Sequence, residues 1–159
     1  MEINIKLAQE EDTNRLVELL NAVTLHLHEK NINQWTYPSN TEEINKDVKD
    51  ENIYIITFGN LLIGTFSLKP IDISSLNSII KEEGFYLYRI AVLPEYQGKN
   101  IGLDAIAYAK GISDSSKKSL YLDCWAGNKV LKNFYSNAGF KFLGDFPEED
   151  YLVSVYCLS

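Results

Sequence analysis

Between Ile53 and Leu68 the chain turns β-rich in a way that admits few folds. Ile53-Tyr54-Ile55-Ile56-Thr57-Phe58 and Leu61-Leu62-Ile63-Gly64-Thr65-Phe66-Ser67-Leu68 are β-branched and aromatic runs separated by the turn pair Gly59-Asn60. That is the pattern of an antiparallel hairpin. Upstream the period is helical: Leu16, Leu19, Leu20, Val23 and Leu27 fall at i, i+3, i+4, i+7 and i+11, one apolar stripe on a helix running to about Glu29. Downstream, a strand from Phe85 to Val92 turns at Pro94-Glu95-Tyr96-Gln97-Gly98. It leads into a helix through Ile101, Asp104, Ala105, Tyr108 and Ala109 that ends by Gly111, and then into the strand Leu120-Tyr121-Leu122-Asp123-Cys124. Strand, helix, strand is the crossover that parallel pairing requires. A hairpin and a crossover in one chain predict an α/β (α+β) protein with a mixed, mostly antiparallel sheet flanked by helices.

The remaining elements fit around this core. Ile3, Ile5 and Leu7 mark a first strand, and Glu10-Glu11-Asp12 place negative charge where a helix start favours it. Asn31 to Pro38, with Trp35 and Tyr37, has no period and reads as a loop. Ser39 with Glu42 fits a capping box for a second helix through Ile44 and Val48. The connection carrying Ser74, Ser75, Asn77 and Gly84 is ambiguous and has room for a short helix. Asn128 to Asn137 reads as a helix stopped by Ala138-Gly139. Lys141 to Phe146 and Tyr151 to Cys157 are strands joined by Pro147-Glu148-Glu149-Asp150. Neither a repeat nor a linker interrupts the 159 residues, which read as a single domain, 1–159.

Composition excludes several classes of function. Fifteen Lys and Arg against 22 Asp and Glu give a net charge of -7, the wrong balance for a protein that tracks a phosphate backbone, so no nucleic-acid partner is expected. Cys124 and Cys157 stand alone, far apart and without ligands at metal spacing, so neither a disulfide framework nor a metal site is expected. His26 and His28, two apart on a helix, do not share a face for a metal. The N-terminal residues lack the basic flank and apolar run of a signal peptide, and no apolar stretch approaches the roughly 18 residues of a membrane span. A cytoplasmic protein with no membrane association is the expectation.

Chemistry concentrates in Tyr88-Arg89-Ile90-Ala91-Val92-Leu93-Pro94-Glu95-Tyr96-Gln97-Gly98-Lys99-Asn100-Ile101-Gly102, a strand passing through a turn into the start of a helix. A helix N-terminus leaves backbone N–H groups unsatisfied and carries about half a positive charge, so the turn offers donors to a phosphate despite the acidic net charge. The stretch is neither a Walker P-loop nor the three-glycine dinucleotide fingerprint, and on pattern alone it could also be a plain turn and cap.

These residues resemble the GNAT superfamily of acetyl-CoA-dependent N-acetyltransferases, whose signature is Gln/Arg-x-x-Gly-x-Gly/Ala after a strand ending in a phrase like Ile-Ala-Val-x-Pro-Glu-Tyr. A second block, Leu120 to Cys124, then Asn128, then Asn133-Phe134-Tyr135-Ser136-Asn137-Ala138-Gly139-Phe140, resembles the family's next strand and its "Tyr…Gly-Phe" helix, in the right order and separation. The resemblance implies a sheet whose parallel central strands splay to admit acetyl-CoA. It implies that Ile90, Ala91 and Val92 pair with the pantetheine arm, that Gln97, Gly98, Lys99, Asn100, Ile101, Gly102 and Leu103 wrap the pyrophosphate, and that Asn128 contacts the cofactor. Asn128 also reads as a helix N-cap. Asn100 stands where the signature has its first glycine; Asn tolerates the left-handed geometry best among non-glycine residues, so weakened rather than lost cofactor binding is expected.

Tyr135 matches the general acid that protonates the departing thiolate, and Asp123 matches a glutamate that serves as base in the branch acetylating protein N-termini. Asp123 also reads, and more simply, as a helix cap or a solvated carboxylate, and Glu82, Glu83 and Tyr88 are rivals for the base. Cys124 reads as a small core residue rather than a nucleophile. Trp35 and Tyr37 lie where such enzymes build the acceptor wall, and Arg89 either holds a substrate carboxylate or pairs with Glu83 or Asp123. The implied activity is direct transfer of an acetyl group from acetyl-CoA to a primary amine of a small molecule or peptide, with no metal. Two alternatives stay open. One is a non-catalytic domain binding CoA or acyl-CoA as a sensor or partner module. The other is an interaction domain using the aromatic surface around Trp35, Tyr37, Tyr86 and Tyr88. Edge strands of such a sheet would also permit a homodimer.

Overall fold

The computed structural model describes residues 2–32, 35–71 and 82–159. In chain order the elements are β1 (Asn4–Leu7), α1 (Thr13–Glu29), α2 (Thr41–Lys49), β2 (Ile53–Phe58), β3 (Leu61–Ile71), β4 (Gly84–Val92), α3 (Ile101–Ser115), β5 (Ser119–Trp125), α4 (Lys129–Asn137), β6 (Lys141–Glu148) and β7 (Tyr151–Leu158). The strands form one hydrogen-bonded sheet in the order β1-β2-β3-β4-β5-β7-β6. The β1–β2, β2–β3, β5–β7 and β6–β7 pairs are antiparallel, and β4–β5 is parallel. The mixed sheet flanked by helices matches the sequence expectation. Ser74, Ser75 and Asn77, in the ambiguous connection, lie outside the described residues.

The chain divides into two compact units, residues 1–68 with 89–105, and residues 69–88 with 106–159. In the first, the α1 stripe (Leu16, Leu19, Leu20, Val23) packs with Ile44 and Val48 of α2, with Ile53 and Ile55 of β2 and with Ala91 of β4. Each Leu or Ile fully withdrawn from water there contributes about 1.5–3 kcal/mol. Within the hairpin the register runs from Ile53↔Ser67 to Phe58↔Leu61 and slips between Ile56 and Thr57, and the Tyr54 and Phe66 rings stack with centroids 5.1 Å apart. In the second unit, β5 pairs along its whole length with β7, from Leu120↔Leu158 to Trp125↔Val153, and Tyr121, Leu122, Val155 and Tyr156 are buried. The parallel ladder registers Gly84↔Ser119, Phe85↔Leu120 and Tyr86↔Tyr121 and goes no further, although β4 continues through Leu87 and Tyr88 and β5 through Leu122 to Trp125.

Several boundaries differ from those read in the sequence. The α2 cap is Asn40, whose Oδ1 accepts from the Glu43 amide at 3.0 Å, rather than Ser39 with Glu42; the Ser39 amide is taken instead by Asn21 Oδ1 at 2.7 Å. With Asn21 holding the Ser39 amide, the group that Glu42 would reach back to in a capping box is already taken. The α3 helix continues past Gly111 to Ser115. A mid-helix glycine costs about 1 kcal/mol, and here Ser115 Oγ donates to the Gly111 carbonyl at 2.9 Å while Lys110 pairs with Asp114 one turn on. Strand β3 extends to Ile71, and β6 runs through Pro147 to Glu148, leaving Glu149-Asp150 as the turn, with Glu149 left-handed at φ 54°. Among the described residues, no helix is long and apolar enough to cross a membrane.

Gly84 opens the parallel ladder because nothing larger fits. A Cβ there would collide with the Ser119 carbonyl and stand 2.7 Å from the Tyr121 ring. Overpacking of this kind costs about 1–3 kcal/mol. Gly84→Ala is therefore expected to lose about that much stability in urea denaturation, and an unchanged midpoint would contradict the close approach.

Candidate active site

In the first unit the site is built on the end of β4. Arg89 interrupts the strand with φ 52°, a left-handed conformation in which a Cβ crowds the backbone. Ala91 follows, buried, and its carbonyl lies so near β3 that a Cβ on Gly64 would stand 3.0 Å from it. After Val92 the chain makes a 3-10 turn, Pro94–Tyr96, and Gln97 braces it: its side-chain Nε2 donates to the Val92 carbonyl at 3.0 Å and its amide to Pro94 at 3.2 Å. Gly98 (φ 79°) and Asn100 (φ 65°) are both left-handed, and Asn100 closes the first helical bond by accepting from the Asp104 amide at 3.0 Å. Asn100 thus adopts the geometry expected of a glycine substitute. The next amides, of Ile101, Gly102 and Leu103, precede any intrahelical carbonyl they could reach. Exposed Lys99 adds a cation beside them, while Asp104 in the first turn of α3 works against an anion.

The same unit holds a cavity of about 410 Å³ whose lining includes Leu20, Trp35, Pro38, Ile44, Glu43 and Arg89. Its loop is tied to α1, since His28 Nε2 donates to the Trp35 carbonyl at 2.8 Å and Asn21 holds Ser39. Trp35 packs against the core, whereas Tyr37, joined to Pro38 by a cis peptide, is exposed and does not line this cavity. Arg89 pairs with neither Glu83 nor Asp123. Its Nη2 donates to Glu43 Oε1 at 3.0 Å, and Asp47 Oδ2 stands 3.9 Å from Nη1. Glu83 is paired instead with Lys118 at 3.7 Å, and Glu82 accepts from Ser119 Oγ at 3.0 Å.

In the second unit, burial sets the electrostatics. Asp123 is neither a helix cap nor a fully solvated carboxylate: on β5, opposite Val155, it accepts a 2.8 Å hydrogen bond from the Tyr86 phenol. Desolvation raises its pKa above the usual carboxylate value, Glu148 adds to the rise, and the Tyr86 bond opposes it. Tyr86 is pushed far above the ordinary phenol value by burial and by Asp123, so it stays protonated. The Tyr86 and Tyr88 rings stack at 5.1 Å, with the Lys69 ammonium 5.0 Å from the Tyr88 centroid. Tyr135, on α4, is buried among the rings of Phe134, Phe140 and Tyr156, and burial raises its pKa, with Cys124 and Asp123 contributing. The Cys124 thiol is buried and pushed up to about 11, chiefly by desolvation, so it is no thiolate at neutral pH. Asn128 caps α4, its Oδ1 accepting from the Leu131 amide at 3.1 Å. Among the described residues, no group of three His, Cys, Asp or Glu could hold a metal ion.

A model of the acetyltransferase (GNAT) family matches residues 7–140. The chain belongs to this family, and it is an acyltransferase. It is 25% identical over 142 residues to the uncharacterized N-acetyltransferase YesJ of Bacillus subtilis (strain 168), covering 84% of this chain and 79% of that one. It superposes on a GNAT-family acetyltransferase from Listeria monocytogenes with a TM-score of 0.78 at 20% identity, over 99% of this chain and 96% of the other. A PaiA N-acetyltransferase from Thermoplasma acidophilum, solved in complex with coenzyme A, matches with a TM-score of 0.71 at 22% identity, over 97% and 98% of the two chains. These likenesses confirm the fold expected from the sequence.

Two features escaped the sequence reading. The Arg89 carboxylate partners sit on α2, 46 and 42 residues upstream, where no local pattern points to them. The Tyr86–Asp123 bond was within reach: the Tyr86↔Tyr121 register of a parallel pair brings Asp123, two residues on, to the same face of the sheet. Tyr86→Phe removes the hydrogen bond that holds the Asp123 pKa down, so the Asp123 titration midpoint, followed by carboxyl ¹³C shifts, is expected to move further up. A midpoint that stays or falls would show the bond to be idle.

Proposed function

We propose that this GNAT protein is a cytoplasmic N-acetyltransferase, residues 1–159 acting as one domain, that moves the acetyl group of acetyl-CoA directly onto a primary amine of a small molecule or peptide. The observation that carries the reading is the left-handed turn at Gly98 and Asn100, which feeds the α3 N-terminus immediately after the strand Ile90-Ala91-Val92. In this reading the amides from Gly98 to Leu103 hold the pyrophosphate, assisted by Lys99, with Gln97 bracing the turn. The Ile90–Val92 backbone holds the pantetheine arm and Asn128 contacts the cofactor. A strand N–H stabilises the tetrahedral oxyanion that forms when the amine attacks the thioester.

The proton inventory follows from the burial of each group. An alkylammonium with a pKa near 10 has to lose a proton before attack. Asp123, raised by desolvation, is the base, taking that proton directly or through water. Tyr135, whose phenol is held protonated by burial, donates to the departing CoA thiolate. Cys124 stays a thiol, and the transfer passes through no acyl-enzyme. Trp35 and Arg89 form the acceptor side, with Tyr37 exposed on the same loop outside the cavity.

Calorimetric titration with acetyl-CoA, with ATP as control, tests the cofactor half. Saturable binding of acetyl-CoA alone is expected, with Asn100→Gly binding equally well or more tightly; no binding at millimolar ligand would overturn it. For the chemistry, Tyr135→Phe is expected to lower kcat by roughly 10²–10⁴ while the acetyl-CoA Kd stays within about twofold. Equal turnover would remove Tyr135 from the mechanism.

A further inference from the structure

Among the described residues, the Arg89 guanidinium is incompletely matched. A guanidinium has five N–H donors in a planar fork, and a structural strut would satisfy them with a bidentate carboxylate. Here Nη2 has one partner, Glu43, whose side chain is 58% exposed. Nη1 is shut off from solvent and has no hydrogen-bond acceptor among the described residues, with Asp47 Oδ2 at 3.9 Å. The side chain belongs to a residue held left-handed in the middle of a strand, a conformation that persists only where the surroundings impose it. It also forms part of the lining of the 410 Å³ cavity, together with the apolar Leu20, Trp35, Pro38 and Ile44.

We propose, resting on the acetyltransferase reading above, that this cavity is the acceptor pocket and that the acceptor is a free amino acid with an apolar or aromatic side chain. Its carboxylate displaces Glu43 from Nη2, and the withdrawal of Glu43 uncovers Nη1, sealed while the pair is made, for the second oxygen, completing the fork. Glu43 swings into water at little cost, because its own side chain already lies mostly in solvent. The apolar side chain lies against Trp35, Pro38, Leu20 and Ile44. Amines without a carboxylate leave Arg89 on Glu43 and forgo the fork, so the pocket selects by charge as well as by shape.

The test compares phenylalanine with phenylalaninamide, which differ at the carboxylate and share the side chain and the position of the amine. Acetyl-CoA-dependent CoA release is expected to favour phenylalanine at least tenfold in kcat/KM. Arg89→Asn, which keeps a residue tolerant of left-handed backbone, is expected to bring that ratio close to one, with circular dichroism checking the fold. Glu43→Gln removes the internal competitor and is expected to lower the KM for phenylalanine, an effect that a purely structural ion pair would not produce. Thermal shift by phenylalanine, present in the native protein and absent in Arg89→Asn, reads the pocket without turnover. Turnover of both amines at a ratio near one overturns the selectivity and leaves acetyl transfer standing. An Arg89-dependent shift with acetyl-CoA bound but no CoA release supports the carboxylate site and overturns acetyl transfer.

Discussion

The strand β4 carries the constraint on which the site depends: it cannot remain an ordinary strand to its end. Its parallel ladder with β5 stops at Tyr86↔Tyr121, its backbone turns left-handed at Arg89, and the remaining residues run into a turn with two more left-handed positions. A regular strand spends its amides and carbonyls on its neighbours. Beyond Tyr86 that edge of β4 has no β5 ladder, and the left-handed Arg89 sets its side chain out of step with the pleat. Gly64 makes room at the Ala91 carbonyl, so the break is accommodated by the adjacent hairpin rather than by loosening it.

Electrostatics in the second unit follow from one cause. Burial keeps water from Cys124 and Tyr135 and thins it around half-buried Asp123, and lost hydration disfavours whichever form of a group is charged, so all three rise in pKa. For Tyr135 and Cys124 this means a proton retained at neutral pH. For Asp123 it means a stronger base than an exposed carboxylate, moderated by the phenol of Tyr86. The same burial therefore sorts the groups into those that hold a proton and one that is improved as an acceptor. That sorting fits a reaction in which a proton is lost at the amine and regained at sulfur.

Much of the fold was legible in the residues because its determinants are local. The stripe from Leu16 to Leu27, the Gly59-Asn60 hairpin and the β-α-β order of β4, α3 and β5 all appear where the periodicity put them. The boundaries that shifted did so through partners far away in sequence. Asn40 took the α2 cap because Asn21 of α1 held the Ser39 amide, and α3 outlasted Gly111 because its later turn was tied by Ser115 and Asp114. The left-handed Asn100 was foreseeable from its chemistry, since Asn is the side chain that bears that geometry most readily. The pairing of Arg89 was not, because Glu43 and Asp47 approach it from a helix whose docking angle leaves no trace in any short window.

The sequence by itself determined the family, the element order and the left-handed turn ahead of α3, since motif spacing, hydrophobic period and the conformational preferences of Gly98 and Asn100 operate within a few residues. Tertiary structure alone decided what each ionisable side chain faces. It placed Asp123 under the Tyr86 phenol, buried Tyr135 among aromatic rings, and left the Arg89 guanidinium in a cavity wall between an exposed carboxylate and a distant one. The reason is physical: charge and proton affinity depend on the dielectric and on partners within a few ångströms, and those are set by packing between segments that the chain keeps tens of residues apart.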